Sequence, residues 1–182
     1  MSWCPVVAVD PIRLPILARD KHEENWRFRQ FLKGRCNIGS DELDRRVREM
    51  TDRIWSGIDC TTCANCCKTV HPTLSDAEVE RLARRLGLER QQFVDRYLEP
   101  NGPDDDNPWR TRSTPCPFLD DNRCAVYEDR PADCRRYPYL HEPDFTSRTI
   151  AMIERTVNCP IVYEVIEELK RSTGFARRRR GT

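Results

Sequence analysis

The residues most able to do chemistry are cysteines. The chain has ten of them in 182 residues. Four fall in one run, Cys60-Thr-Thr-Cys63-Ala-Asn-Cys66-Cys67. Thiolate is a soft ligand, suited to zinc, Cu(I) and iron–sulfur clusters. Two-residue spacers let successive thiolates curl round one centre, which is why C-x-x-C marks zinc sites and C-x-x-C-x-x-C marks ferredoxin-type clusters. One such spacing is weak evidence; overlapping ones with an adjacent cysteine are strong. The adjacent pair adds a constraint. Successive side chains diverge, so Cys66 and Cys67 are poorly placed to share one small ion. They point at two centres, or one lies outside the ligand shell, and the run must be completed from elsewhere.

The completing thiols follow at wide spacings: Cys116, Cys124, Cys134 and Cys159. Prolines stiffen the backbone near three of them, in Cys116-Pro117, Cys134-Arg-Arg-Tyr-Pro138 and Cys159-Pro160. Arg123, Arg130, Arg135 and Arg136 cluster nearby, and guanidinium groups can offset the negative charge that thiolates leave round a metal. Arg130, Arg135 and Tyr137 are the candidate outer partners of the site, Tyr137 through a hydrogen bond to sulfur. Eight thiolates suffice for two tetrahedral four-sulfur sites, or for one four-cysteine cluster and a further metal. Spacing does not choose between these.

Together these residues resemble the CxxCxxCC zinc- or iron-chelating domain family, the YkgJ-like cysteine-cluster proteins. The resemblance runs from Asp59 to Cys159. It rests on the Cys60–Cys67 run, on Ser75-Asp76-Ala77-Glu78-Val79, and on Cys116-Pro117-Phe118-Leu119. It continues through Cys124-Ala-Val-Tyr127-Glu-Asp-Arg130-Pro131 and Cys134-Arg135-Arg136-Tyr137-Pro138 to Cys159-Pro160. It implies iron or zinc held by the cysteines. The family also includes flagellin lysine N-methylases, which look like iron–sulfur-dependent enzymes. The resemblance therefore implies, as a second reading, an enzyme of that type acting on a protein or small-molecule substrate.

Other reactive residues have plainer readings. Cys4 and Cys36 lie outside the pattern and read as ordinary thiols. His71 precedes Pro72 and reads as a turn residue rather than a nitrogen ligand. His22 and His141 have no partner pattern, and Tyr127 and Tyr139 read as packing. The sequence has no G-x-G-x-x-G, no P-loop and no H-E-x-x-H. No histidine shares a catalytic context with a cysteine.

Several elements must position these groups. Pro5, Pro11 and Pro15 predict an irregular start. Asp20 with Glu23 resembles a capping box opening a helix through Leu32. Ser40 caps a helix whose stripe is Leu43, Val47, Met50 and Ile54. Ser75 and Glu78 form a second capping box before Val79, Leu82 and Leu86, stopped by Gly87. A further helix covers Glu89 to Leu98, and residues 99–108 read as a loop. Arg110 to Ser113 and Cys124 to Tyr127 read as short strands bracketing a turn at Asp120-Asp121-Asn122, and Thr146 to Val157 as a longer strand. Pro160 opens the last helix, with Ile161, Val165, Ile166 and Leu169 inward. The expected fold is α+β: small, helix-rich, irregular, with few short strands and a metal staple. Residues 1–39 read as an N-terminal extension with one short helix, 40–172 as the cysteine-cluster domain, and 173–182 as a basic tail.

Composition agrees with a small core. Charged residues make up 34% and the mean hydropathy is −0.76. The formal net charge of +1 gives no global pull toward nucleic acid or an acidic membrane. The apolar run Val6 to Val9 ends at Asp10, short of the about 7–15 residues of a secretory segment, and no stretch reaches the about 18 that span a bilayer. The expected compartment is the cytoplasm, where thiols stay reduced. The expected cofactor is an iron–sulfur cluster or zinc. The expected partners are metal ions and a protein partner or substrate, with neither nucleic acid nor membrane.

Overall fold

The computed structural model describes residues 9–103 and 105–175. A 3-10 turn, Pro11–Arg13, leads into α1 (Leu14–Asp20), α2 (His22–Gly34) and α3 (Ser40–Trp55). The cysteine run forms α4 (Cys60–Cys63) and α5 (Asn65–Thr69). Then come β1 (Thr73–Leu74), α6 (Asp76–Arg85), α7 (Arg90–Tyr97), β2 (Leu98–Pro100), β3 (Trp109–Thr111), β4 (Leu119–Asp120) and β5 (Arg123–Cys124). The chain closes with α8 (Ala132–Arg136), α9 (Phe145–Arg155) and α10 (Pro160–Ser172). This is the helix-rich α+β fold expected. The chain divides into two compact units, one from Met1–Asp59 with Pro138–Thr182 and one from Cys60–Tyr137.

The first unit is helical. In α3, Leu43, Val47 and Ile54 are buried while Arg45, Glu49 and Arg53 face water. In α10, Ile161, Val162, Val165, Ile166 and Leu169 are buried behind Pro160 in the first turn. Helix α3 packs on α10 and α9, and α2 packs on α9. Apolar burial of this kind stabilises by about 25 cal/mol per Å² removed from water.

Three expectations are corrected in this unit. The region read as irregular contains α1. Pro11 and Pro15 sit in the first turns of the 3-10 turn and of α1, where a missing N–H costs nothing. The Asp10 carboxylate accepts from the Ile12 N–H at 3.0 Å. Helix α2 starts later than expected, after Lys21 and with no side-chain cap. The third correction is larger: the predicted strand at 146–157 is helix α9. Its buried residues Phe145, Thr149, Met152 and Ile153 recur at helical spacing. Its start is fixed from a distance, because the buried Asp44 carboxylate accepts from the N–H groups of Asp144 (2.8 Å) and Phe145 (2.9 Å).

The second unit, Cys60–Tyr137, is built on a core of Leu74, Val79, Leu82, Ala83, Phe93, Val94, Leu98, Phe118 and Val126. A three-stranded antiparallel sheet runs β1-β3-β2, pairing Thr73 with Arg110 and Leu98 with Thr111. The expected strand at 110–113 is therefore real but joins this sheet. The turn at Asp121-Asn122 is closed instead by β4 and β5, with both turn residues at positive φ, 41° and 64°. Asp and Asn tolerate that region, and such a turn matches the twist of a hairpin. The loop expected at 99–108 begins inside β2. The Ser75–Glu78 capping box forms as read.

Two outcomes test this account. Asp44→Ala strands the N–H groups of Asp144 and of buried Phe145, and chemical denaturation should show a loss of about 2–3 kcal/mol; an unchanged midpoint would remove the cap from the explanation of α9. The second concerns Glu24, which accepts from buried Lys170 at 3.0 Å, while Lys170 also pairs with Glu167. Burial alone would raise the Glu24 carboxyl; Lys170 and Lys21 outweigh it and hold it at about 2, below the ordinary 4.5. Its stabilisation is full above about 4.5 and lost as pH falls toward about 2. Melting of Glu24→Gln should lie below wild type at pH 7, with the gap closing through that window; a gap independent of pH would rule out the charge as its source.

Candidate metal centre

The run Cys60–Cys67 does not continue as one helix. Ala64, 2% exposed, takes a left-handed conformation at φ 47° between α4 and α5. An L-residue there costs roughly 1–2 kcal/mol, so packing must hold it. Its N–H still bonds to Cys60 O (3.1 Å) and its own carbonyl accepts from Lys68 (3.2 Å). A straight helix would set Cys63, Cys66 and Cys67 on one face; the break re-aims the second pair relative to the first. Cys60 is exposed, and Cys63, Cys66 and Cys67 are half-buried.

The later thiols reach this run through three separate devices. The Cys116 N–H donates to Cys67 O at 2.7 Å, stitching the loop to the end of α5. Cys116 O then accepts from Leu119 (3.0 Å), and Leu119 pairs with Cys124 across the hairpin. Helix α4 packs on β5, and Cys116 and Cys124 pack against the unit's core. Cys134 lies in α8. Asp133 beside it accepts from the Thr73 N–H of β1 at 2.8 Å, and buried Glu78 of α6 accepts from the Ala132 N–H at 2.7 Å.

Electrostatics show which thiols are neighbours. A hydrogen bond from the Cys66 side chain holds Cys67 down at about 7, against burial. Burial pushes Cys116 up to about 11, and the charges of Cys67 and Cys124 push the same way. Burial also raises Cys124, with Cys67 adding and Arg130 opposing. Cys134 is raised by burial, then by Cys116, Asp133, Cys67 and Cys124. Cys67, Cys116, Cys124 and Cys134 therefore lie within electrostatic reach of one another. They are neighbours rather than a closed shell: among the described residues, no three His, Cys, Asp or Glu side chains already stand in a grouping that would hold a metal ion. In chemistry the donor set fits zinc or iron, since all four neighbours are thiols and a bound cation reverses the cost of ionising them.

The other predicted residues are placed as follows. Cys159 caps the start of α10 in the helical unit and is 6% exposed. Arg130 stacks 3.8 Å above the Tyr127 ring, donates to Tyr127 O and favours the Cys124 thiolate. Arg135 donates to the carbonyls of Arg130 (3.1 Å) and Glu128, bracing the loop before α8. Tyr137 follows α8, its N–H on Asp133 O at 3.0 Å. His71 Nδ1 lies 2.7 Å from Thr111 O and must donate to it, as a turn residue would. His22 accepts from Trp26 and His141 bonds Asp52, both in the helical unit. The Cys36 N–H bonds Phe31 O after α2. Cys4 and the basic run Arg177–Arg180 lie outside the described residues. Sequence reasoning missed Glu78 and Asp133 as site supports. Glu78 was visible only as half of a capping box, and its long-range bond had no local signal.

The thiols should differ in reactivity in metal-free protein. At pH 7, Cys67 should be alkylated by iodoacetamide well before Cys116, and Cys66→Ala should slow it by removing the hydrogen bond that favours the thiolate. Peptide mass spectrometry against time reads both; equal rates at Cys67 and Cys116 would contradict the assigned environments.

Comparison with known proteins adds one match. A family model, CxxCxxCC, described as "Putative zinc- or iron-chelating domain", matches residues 59–160, more than half of the chain. No curated protein and no solved structure matches it. With the cysteine run at the head of the matched segment and the proline after its last cysteine at the end, the chain belongs to the CxxCxxCC family of zinc- or iron-chelating domains.

Proposed function

We propose that the protein binds iron through its cysteine thiolates, in an iron–sulfur cluster rather than as a bare zinc site. The observation that carries the reading is the shared neighbourhood of Cys67, Cys116, Cys124 and Cys134, drawn from four places in the sequence. Four thiolates complete a tetrahedral or cuboidal sulfur environment. These four form one centre. Cys60, Cys63 and Cys66 remain for a second, or for outer support as Cys66 gives Cys67. The x-x spacers of the run favour iron–sulfur, because that spacing serves ferredoxin-type clusters. When bound, the cluster supplies electron transfer or a Lewis-acid iron. The protein's own contribution is to hold the thiols, shield them by half-burial and set Arg130 against their charge.

This reading places the protein in the reducing cytoplasm, where such thiols persist. No helix among the described residues is long and apolar enough to cross a membrane. Metal ions are its partners.

Protein purified without oxygen should contain iron and acid-labile sulfide, with a broad absorption band near about 400 nm. Cys124→Ser and Cys134→Ser should each lose most of that band and melt at lower temperature, while Cys36→Ser should keep both. Colourless protein with stoichiometric zinc would replace the cluster by a zinc site. Protein that takes up neither metal would overturn the reading.

A further inference from the structure

The Ser75-Asp76-Ala77-Glu78 motif looks like ordinary helix capping, yet Glu78 does more than cap α6. The residue is 7% exposed. One oxygen, Oε2, accepts from the Ser75 N–H (3.0 Å) and lies 3.1 Å from the Ser75 hydroxyl, closing the capping box on its own helix. The other, Oε1, accepts from the Ala132 N–H at 2.7 Å, 54 residues away in sequence. Ala132 opens α8, the five-residue helix that carries Cys134. Capping alone uses one oxygen. The second ties two helices together through a single planar group, and satisfies one of the N–H groups that open α8. Burial would raise the Glu78 carboxyl, but the backbone N–H groups outweigh it and keep it ionised. Asp133 makes a parallel tie to β1 through Thr73. Helix α8 is too short to hold itself, so these two carboxylates fix where Cys134 stands relative to Cys116 and Cys124.

We propose that Glu78 is a positioning residue of the metal centre, acting through Ala132 on Cys134. The assignment rests on the metal-binding reading above. It gives the motif a role in the site, separable from its role in helix stability. A group bonded directly to a metal ligand commonly changes metal affinity about 10–100-fold when lost; Glu78 acts one step further out, through the Ala132 N–H, and the lower figure is expected of it.

The two roles come apart in variants of the full chain. Ala132→Pro removes only the N–H that Glu78 holds in α8. Proline suits the first position of a helix, and Pro131 before it is already extended. Ser75→Ala loosens the α6 cap by removing the hydroxyl beside Oε2, but leaves the Ala132 N–H on Oε1. Glu78→Ala removes both. Metal-free protein is titrated anaerobically with Co(II), whose absorption reports thiolate coordination, and folding is checked by far-ultraviolet circular dichroism. Ala132→Pro and Glu78→Ala should bind Co(II) at least about tenfold more weakly than wild type, with an altered cobalt spectrum. Ser75→Ala should melt lower but keep wild-type affinity and spectrum. Wild-type affinity and spectrum in folded Ala132→Pro would overturn the proposal whether or not Glu78→Ala folds. Equal weakening in Ser75→Ala would overturn it too, reducing Glu78 to a helix cap. Failure of the wild type to bind Co(II), zinc or iron would instead bring down the metal-binding reading itself.

Discussion

Thiols repel one another once ionised, and burial makes each charge dearer. Four of them in one half-buried neighbourhood are an unfavourable arrangement unless they stay protonated or meet a cation. That constraint shapes the Cys60–Tyr137 unit. Cys116, Cys124 and Cys134 are held toward the neutral form by burial and by neighbouring thiols, Cys67 among them in each case, whereas Cys67 is eased toward the thiolate by Cys66. Arg130 is the nearby cation that offsets part of the charge at Cys124.

Local secondary structure alone does not supply such an arrangement. The elements carrying the thiols are short: a broken pair of helical turns, a two-residue strand pair and a five-residue helix. None is long enough to be stable by itself. Their positions come from bonds to the backbone and to buried carboxylates, as at Cys67–Cys116, Asp133–Thr73 and Glu78–Ala132. Behind them lies an apolar core that includes Phe93 and Phe118, whose rings stack with centroids 5.9 Å apart. The helical unit works differently. Its helices are longer and amphipathic, and carboxylates such as Asp44 and Glu24 finish what apolar burial begins.

The sequence by itself determined what is local. Apolar residues at helical spacing defined α3 and α10, Ser75 with Glu78 opened α6, and Pro160 opened the last helix, because periodicity and capping act within a few residues. The spacing of the cysteine run named the chemistry in the same way. Tertiary structure alone decided three other things. Residues 145–155 are helix rather than strand, since Asp44 caps them from about a hundred residues away. The segment 109–111 joins β1 and β2 rather than the hairpin at Asp121-Asn122. Cys67, Cys116, Cys124 and Cys134 became neighbours, with Glu78 reaching from its own helix to the one that carries Cys134. Each of these depends on a bond or a charge between residues far apart in the chain, and spacing along a sequence carries no record of such distances.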